Sequence, residues 1–189
     1  NFSGRHPACA CTVSPGILMD DGRTVFILLF ASVMTFSALY APQPVQPLIG
    51  AEFGVSMSRT SLLTTAAMVP LALAPIFYGY LLEAVSARRV LIFSLLFLSV
   101  CQFLFYVSGS FVLLVAARVL MGCAVPAVLT GIMTYISDTS AKGDLQKNLA
   151  FYISSTILGG FSGRFFSGLL SHYFGWRLMF VILGLSLLC

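Results

Sequence analysis

The sequence predicts an all-α integral membrane protein, a helical bundle of five complete transmembrane spans and an incomplete sixth. Composition is the first observation behind this: 59% of the 189 residues are hydrophobic and 8% are charged, with a mean hydropathy of +0.99. Soluble domains carry about a quarter of their residues as charges. The second is a succession of apolar runs, each near the roughly 20 residues that cross a hydrocarbon core. The third is the stretch Gly79-Tyr80-Leu81-Leu82-Glu83-Ala84-Val85-Ser86-Ala87-Arg88-Arg89, a short charged link between two such runs that leaves no room for a soluble domain.

Span 1 covers Thr24 to Leu48 and closes in Pro42-Gln43-Pro44-Val45-Gln46-Pro47. Each proline there removes a backbone donor, so this end is expected to kink or unwind. Non-helical backbone at membrane depth is tolerated only against protein or a water-filled cavity. The segment therefore reads either as a gate or cavity wall, or as a helix that ends at the interface. Span 2 covers Ser58 to Leu82, span 3 Val90 to Val107, span 4 Phe111 to Ser137 and span 5 Leu149 to Phe174. Span 6 begins near Arg177 and reaches Cys189 after about 13 residues, too few to cross, so the chain reads as a fragment.

Residues 1–23 differ from all that follows. Gly4, Pro7, Pro15 and Gly16 interrupt the segment, and no apolar run is long enough for a signal-peptide core, so it reads as a disordered cytoplasmic tail. Met19, followed by Asp20-Asp21-Gly22-Arg23, would also serve as a natural start. Orientation follows from the retention of Lys and Arg on the cytoplasmic side. Arg23, Arg88, Arg89, Lys142 and Lys147 fall on one side and only Arg59 and Arg177 on the other, which places the N-terminus in the cytoplasm.

Other function classes find little support. The formal net charge is +4, but the ten Lys and Arg are scattered singly or in pairs, so nucleic acid is not an expected partner. Of Cys9, Cys11, Cys101, Cys123 and Cys189, two lie in apolar spans, and Cys9-Ala10-Cys11 supplies half a metal site at best. Neither a metal nor a cofactor is expected. His6 lies ahead of the spans and His172 at the very end of span 5, no Ser or Cys has a recognisable base partner, and no Gly-rich phosphate loop follows a strand, so no enzyme is expected.

Small residues inside the spans carry more information. Span 5 holds Gly159, Gly160, Gly163 and Gly168 with Ser162 and Ser167, and span 4 holds Gly122, Ala124, Ala127 and Gly131. Small residues four apart let two helix backbones approach closely in lipid, as tight packing or as a sliding interface. Arg118 and Arg164 lie well within spans 4 and 5, where a guanidinium costs roughly 2.5–3.5 kcal/mol on insertion scales. With a rise of 1.5 Å per residue, they stand about 10 Å and about 15 Å from the outer ends of their spans. No acid lies at that depth: Asp20, Asp21, Glu52, Asp138 and Asp144 are in loops or at ends, and Glu83 closes span 2. Three partners remain open, namely a carboxylate elsewhere in the protein, a bound anionic solute, or carbonyls freed by Pro126. A structural role for one of the two arginines is the alternative to a transport role.

Three motifs, in order and spacing, resemble the major facilitator superfamily, in particular the amino-terminal half of a twelve-span carrier of the bacterial efflux type. The loop after span 2 resembles the family's Gly-x-x-x-Asp-x-x-Gly-x-Arg-Arg pattern through Gly79, Leu81, Glu83, Arg88 and Leu91, with Arg89 adding charge and with Glu83 standing for Asp and Ser86 for Gly. Arg118-Val119-Leu120-Met121-Gly122 resembles the Arg-x-x-x-Gly motif of span 4, which the family places beside the transport pathway. Gly159-x-x-x-Gly163-Arg164-x-x-Ser167-Gly168 resembles the antiporter motif of span 5, with Arg164 in place of its proline and Ser167 in place of a glycine.

The resemblance covers about residues 24–189 and implies half of a major facilitator fold, a 3+3 inverted repeat whose carboxy-terminal partner half is absent. It implies a multi-pass protein of the inner membrane and alternating access about a site near the bilayer midplane. Tyr40, Gln43, Arg118, Thr130 and Arg164 would then line the half-cavity, while Gly79, Glu83, Arg88 and Asp138 would form a cytoplasmic charge cluster that holds the outward-facing state. Implied partners are the lipid bilayer, a coupling proton and a small solute, which two deep arginines favour as an anion. A non-transporting membrane scaffold or receptor on the same spans is the alternative.

Overall fold

The computed structural model describes residues 21–84, 86–140 and 143–188, with the side chains of residues 21–22 and 79–84 left out of the description. All regular structure among them is helical: α1 (Asp21–Tyr40), α2 (Pro42–Phe53), α3 (Met57–Thr60), α4 (Leu62–Ala84), α5 (Ala87–Val107), α6 (Phe111–Thr139), α7 (Leu145–Phe174) and α8 (Trp176–Ser186). Of the expected tail, residues 1–20 lie outside the described residues, and Asp21–Arg23 already belong to α1.

Among the described residues, four runs are long and apolar enough to cross a membrane: Arg23–Phe53, which joins α1 and α2, then Met57–Tyr78, Ala87–Val107 and Phe111–Thr139. Helix α7, with 30 residues, has ample length but is more polar, because Gln146, Lys147, Asn148, Arg164 and seven serine or threonine residues or histidine interrupt its apolar surface. It starts at Leu145, four residues ahead of the expected span. Helix α8 is a shorter apolar segment.

Span 1 breaks without unwinding. The hydrogen-bond ladder of α1 stops at Tyr40 and a new helix opens at Pro42, yet the joint Ala41 keeps right-handed helical dihedrals (φ −52°, ψ −36°). Its N–H still donates to the Ser37 carbonyl at 2.8 Å. Pro42 fits the first turn of α2 because a helix start has no use for its missing donor. Helix α2 ends at Gly54, whose φ of +63° suits glycine, and the Gly54 N–H donates to the Gly50 carbonyl.

Packing radiates from α1 and α6. Helix α7 lies along α1, α4 and α5 flank α6, and α8 fills the space against α5 and α7. Ala38, Leu39, Val45, Ile49, Leu63, Leu98, Phe105, Leu114, Met121, Val125 and Phe180 make up one buried core. Phe180 anchors α8 through ring contacts with Phe105 (centroids 4.4 Å apart) and Trp176 (5.9 Å). Large apolar side chains such as Phe26, Phe93, Val112, Ile157 and Phe161 face outward, as lipid-facing positions do.

Two crossings depend on missing side chains. A Cβ at Gly159 would lie 2.6 Å from the Val33 carbonyl oxygen, and one at Gly163 would lie 2.6 Å from the Ser37 Cα. Ser37 closes this α1–α7 contact by donating to the Gly159 carbonyl (3.0 Å) and pairing with the Ser162 hydroxyl (3.1 Å). Gly122 meets the Ala67 carbonyl of α4 in the same way. Gly168 differs: a Cβ there would meet only Pro44 Cβ, at an ordinary 3.8 Å.

Gly163→Ala is therefore expected to lower stability by about 1–3 kcal/mol, since backbone rather than a flexible side chain must yield. Gly168→Ala should leave the thermal unfolding midpoint in detergent unchanged. Equal midpoints for the two variants would contradict the packing described.

Candidate functional site

The site is built where α6 and α7 both reach one stretch of span 1, residues 38–43. From α6, Arg118 is fully buried and spreads its guanidinium over backbone carbonyls. Nε donates to the Leu63 carbonyl at 3.1 Å, Nη2 to the Leu39 carbonyl at 2.7 Å, and Nη1 to the Ala38 carbonyl at 3.5 Å, with Met121 Sδ 3.9 Å from Nη1. In an unbroken helix the Ala38 carbonyl would accept from the N–H of residue 42. Residue 42 is proline, so that acceptor has no helical donor and the arginine supplies one. The partners of Arg118 are thus carbonyls of α1 and α4, rather than a carboxylate or the carbonyl that Pro126 frees in α6.

From α7, Arg164 meets the same stretch on its other side. Nε donates to Gln43 Oε1 at 2.8 Å, Nη1 lies 3.4 Å from the Gly160 carbonyl, and the guanidinium carbon sits 4.1 Å from the centre of the Tyr40 ring. Gly160 makes this possible, since its absent Cβ would lie 3.3 Å from Tyr40 Cδ2. Arg164 is exposed, and no carboxylate pairs with it among the described residues. Ser167, one turn further along α7, donates to the Ala41 carbonyl at 2.6 Å. The serine that departs from the antiporter pattern thereby caps the joint of span 1.

Tyr40, Gln43 and Arg164 are therefore brought together, and Arg118 lies behind them across span 1. Thr130 stands apart: its hydroxyl donates to the Pro126 carbonyl of its own helix at 2.7 Å. Of the expected charge cluster, Gly79 and Glu83 belong to the segment whose side chains lie outside the description. Arg88 and Asp138 are both exposed and do not pair with each other.

The ion pair found among the described residues is one that sequence reasoning missed. Arg177 Nη2 lies 2.8 Å from Glu52 Oε1, the Trp176 indole donates to Glu52 Oε2 at 2.6 Å, and Arg177 also reaches the Ser108 carbonyl at 3.4 Å. This clasp ties the end of α2 to the start of α8 and the end of α5. Its sequence signal was the placement of Glu52 and Arg177 on the same side of the membrane beside the single tryptophan.

Two outcomes follow from these contacts. Arg118→Ala empties a buried volume and strands the Ala38 carbonyl, with an expected loss of about 2–5 kcal/mol in thermal or denaturant unfolding; Arg118→Lys, which lacks the planar fork, should recover only part of it. Across the clasp, both charged side chains are more than a third exposed, so the pair contributes only about 0–1 kcal/mol after solvent screening. Tryptophan fluorescence is the sharper readout: Glu52→Ala should shift Trp176 emission, while Glu52→Gln, which keeps an acceptor for the indole, should leave it near the parent value.

Comparison with known proteins agrees with this architecture. The chain is 30% identical over 162 residues to the inner membrane transport protein YnfM of Escherichia coli (strain K12), covering 86% of this chain and 39% of that protein. It is 34% identical over 148 residues to an uncharacterized transporter of Buchnera aphidicola subsp. Baizongia pistaciae, covering 78% and 37%. It is 29% identical over 140 residues to the quinolone resistance protein NorA of Staphylococcus aureus (strain MRSA252), covering 74% and 36%. The chain thus spans about two fifths of the length of these relatives. A family model described as Major Facilitator Superfamily matches residues 26–189, and with the helical bundle, the motif order and the relatives in agreement, the chain belongs to that superfamily.

Proposed function

We propose that this chain is the amino-terminal half of a secondary active transporter that moves a small organic solute out across the inner membrane by alternating access, with its N-terminus in the cytoplasm and efflux coupled to protons. The observation that carries this reading is Arg164: a guanidinium within a membrane helix, exposed, held by a ring and an amide, with no carboxylate beside it among the described residues. A charge at that depth is stable only toward protein, a partner or water, which suits a solvated pathway and an anionic solute.

Tyr40, Gln43 and Arg164 contact the solute in this scheme, and Thr130 contributes a hydroxyl when the second half closes the cavity. Arg118 acts from behind, holding residues 38 and 39 so that span 1 presents Tyr40 and Gln43 in register. Gly79, Glu83, Arg88 and Asp138 hold the outward-facing state from the cytoplasmic side, and the coupling carboxylate belongs to the remainder of the protein. The name of the relative NorA, a quinolone resistance protein, supports the outward direction.

Arg164→Ala in the full-length protein should reduce solute flux in proteoliposomes by about tenfold or more, the order expected for one charge-assisted contact, without loss of membrane insertion. An imposed proton gradient should drive the flux, and an uncoupler should abolish it. Normal flux in the Ala variant would reject the assigned role. Absence of flux with an intact fold would favour a scaffold or receptor.

A further inference from the structure

We infer that the solute recognised at Arg164 is a planar monocarboxylate, with its carboxylate on the Nη1/Nη2 edge of the guanidinium and its flat body against the rings of Tyr40 and Phe36. The inference rests on the transporter reading above and names the substrate class for the same site.

The first step is which donors Arg164 has left. A guanidinium has five N–H groups in a fixed planar fork. Gln43 Oε1 takes the one on Nε at 2.8 Å, which closes the edge that Nε shares with Nη2. Nη1 has only the long 3.4 Å contact to the Gly160 carbonyl, and Nη2 has no acceptor among the described residues. The edge formed by Nη1 and Nη2 is the one open to a ligand, and two parallel N–H groups match the two oxygens of a carboxylate.

The second step concerns charge. Among the described residues a single guanidinium faces this position, and the contacts that fix it are an amide oxygen, a carbonyl and a ring, none of which carries a charge. One cation neutralises one negative charge, and a dianion such as phosphate would bring a second charge out of water with no counterpart, a large cost in a low-dielectric site.

The third step concerns shape. The Tyr40 ring covers one face of the guanidinium, so an anion approaches in the plane, along the edge. Arginine side chains on a helix lean toward its N-terminus, which on α7 carries the guanidinium over Gly160. On α1, Phe36 stands one turn before Tyr40, with ring centroids 6.3 Å apart and planes 20° from parallel. Both rings are half-buried, so together they form a partly open aromatic shelf beside the cation. Gly159 and Gly160 preserve it, because added Cβ atoms would lie 2.9 Å from Phe36 Cβ and 3.3 Å from the Tyr40 ring. A flat apolar body stacks on such a shelf, whereas a bulky or sugar-like one gains little from it.

Phenylglyoxal, which modifies accessible guanidinium groups, tests this independently of transport. The full-length protein in nanodiscs is treated with the reagent, and modification of Arg164 is followed by peptide mass spectrometry with benzoate, benzamide or acetate present. Saturating benzoate should slow modification of Arg164 by about tenfold, as expected when roughly nine sites in ten are occupied. Benzamide, equal in shape but uncharged, should give no protection, and acetate, charged but without a ring, should need far higher concentrations. Phe36→Leu should weaken protection by benzoate and leave that by acetate unchanged. Equal protection by benzamide and benzoate, or none by benzoate, overturns the inference. Flux of other solutes with Arg164 unprotected by benzoate would leave the carrier reading standing and remove this substrate class. Protection by benzoate without flux of any solute would keep the carboxylate site and remove the carrier reading.

Discussion

The arrangement depends on a guanidinium bound to peptide carbonyls at a proline break in span 1. Pro42 leaves the Ala38 carbonyl without its helical donor, and burial leaves the Arg118 cation without water. Either group alone would be costly within a membrane-spanning bundle, where an unsatisfied polar atom loses several kcal/mol. Together they satisfy each other, with the Leu39 and Leu63 carbonyls sharing the charge. Ser167 meets the Ala41 carbonyl next to them, so the joint between α1 and α2 is held from α4, α6 and α7 at once.

This explains why Arg164 can stand where the antiporter motif has proline. A proline in span 5 would break α7, but the chain keeps α7 continuous from Leu145 to Phe174 and carries its discontinuity in span 1 at Ala41. The two helices then divide the work. Helix α7 is an unbroken rail with Gly159 and Gly163 pressed against Val33 and Ser37, and the broken span brings Tyr40 and Gln43 to meet the guanidinium. Replacing proline with arginine thus exchanges a kink for a charge at nearly the same place.

The spans were legible because membrane insertion imposes composition directly: an apolar run of sufficient length has few alternatives. Span 5 was the least regular of them, since packing glycines, serines and a charge dilute its hydropathy, and its helix extends four residues further than the apolar run does. The deep arginines were also legible, but the acceptors of Arg118 were not, because a peptide carbonyl is common to every residue. Only the four-residue step from Ala38 to Pro42 marks one carbonyl as free, whereas the partners expected from sequence were a carboxylate, an anionic solute or the carbonyls freed by Pro126. Gly168 shares the spacing of Gly159 and Gly163, yet spacing does not say how far two helix axes have diverged, and at Gly168 they already leave room for a side chain. The Glu52–Arg177 clasp joins residues more than a hundred positions apart, so their shared side of the membrane is the only sign of the pairing and local pattern carries none.

That clasp and the buried joint together hold the proline-rich end of span 1. Helix α2 is held at its start by the contacts around Ala41 and at its end by Glu52 on Trp176 and Arg177. Between these points Val45 and Ile49 are buried in the same core as Leu63 and Phe105. A gate that swung on Ala41 alone would have to break the clasp and withdraw Ile49 from the core, a loss of about 1.5–3 kcal/mol for that side chain alone. The proline-rich segment is therefore packed as part of the bundle wall, and its broken geometry sets Tyr40 and Gln43 beside Arg164.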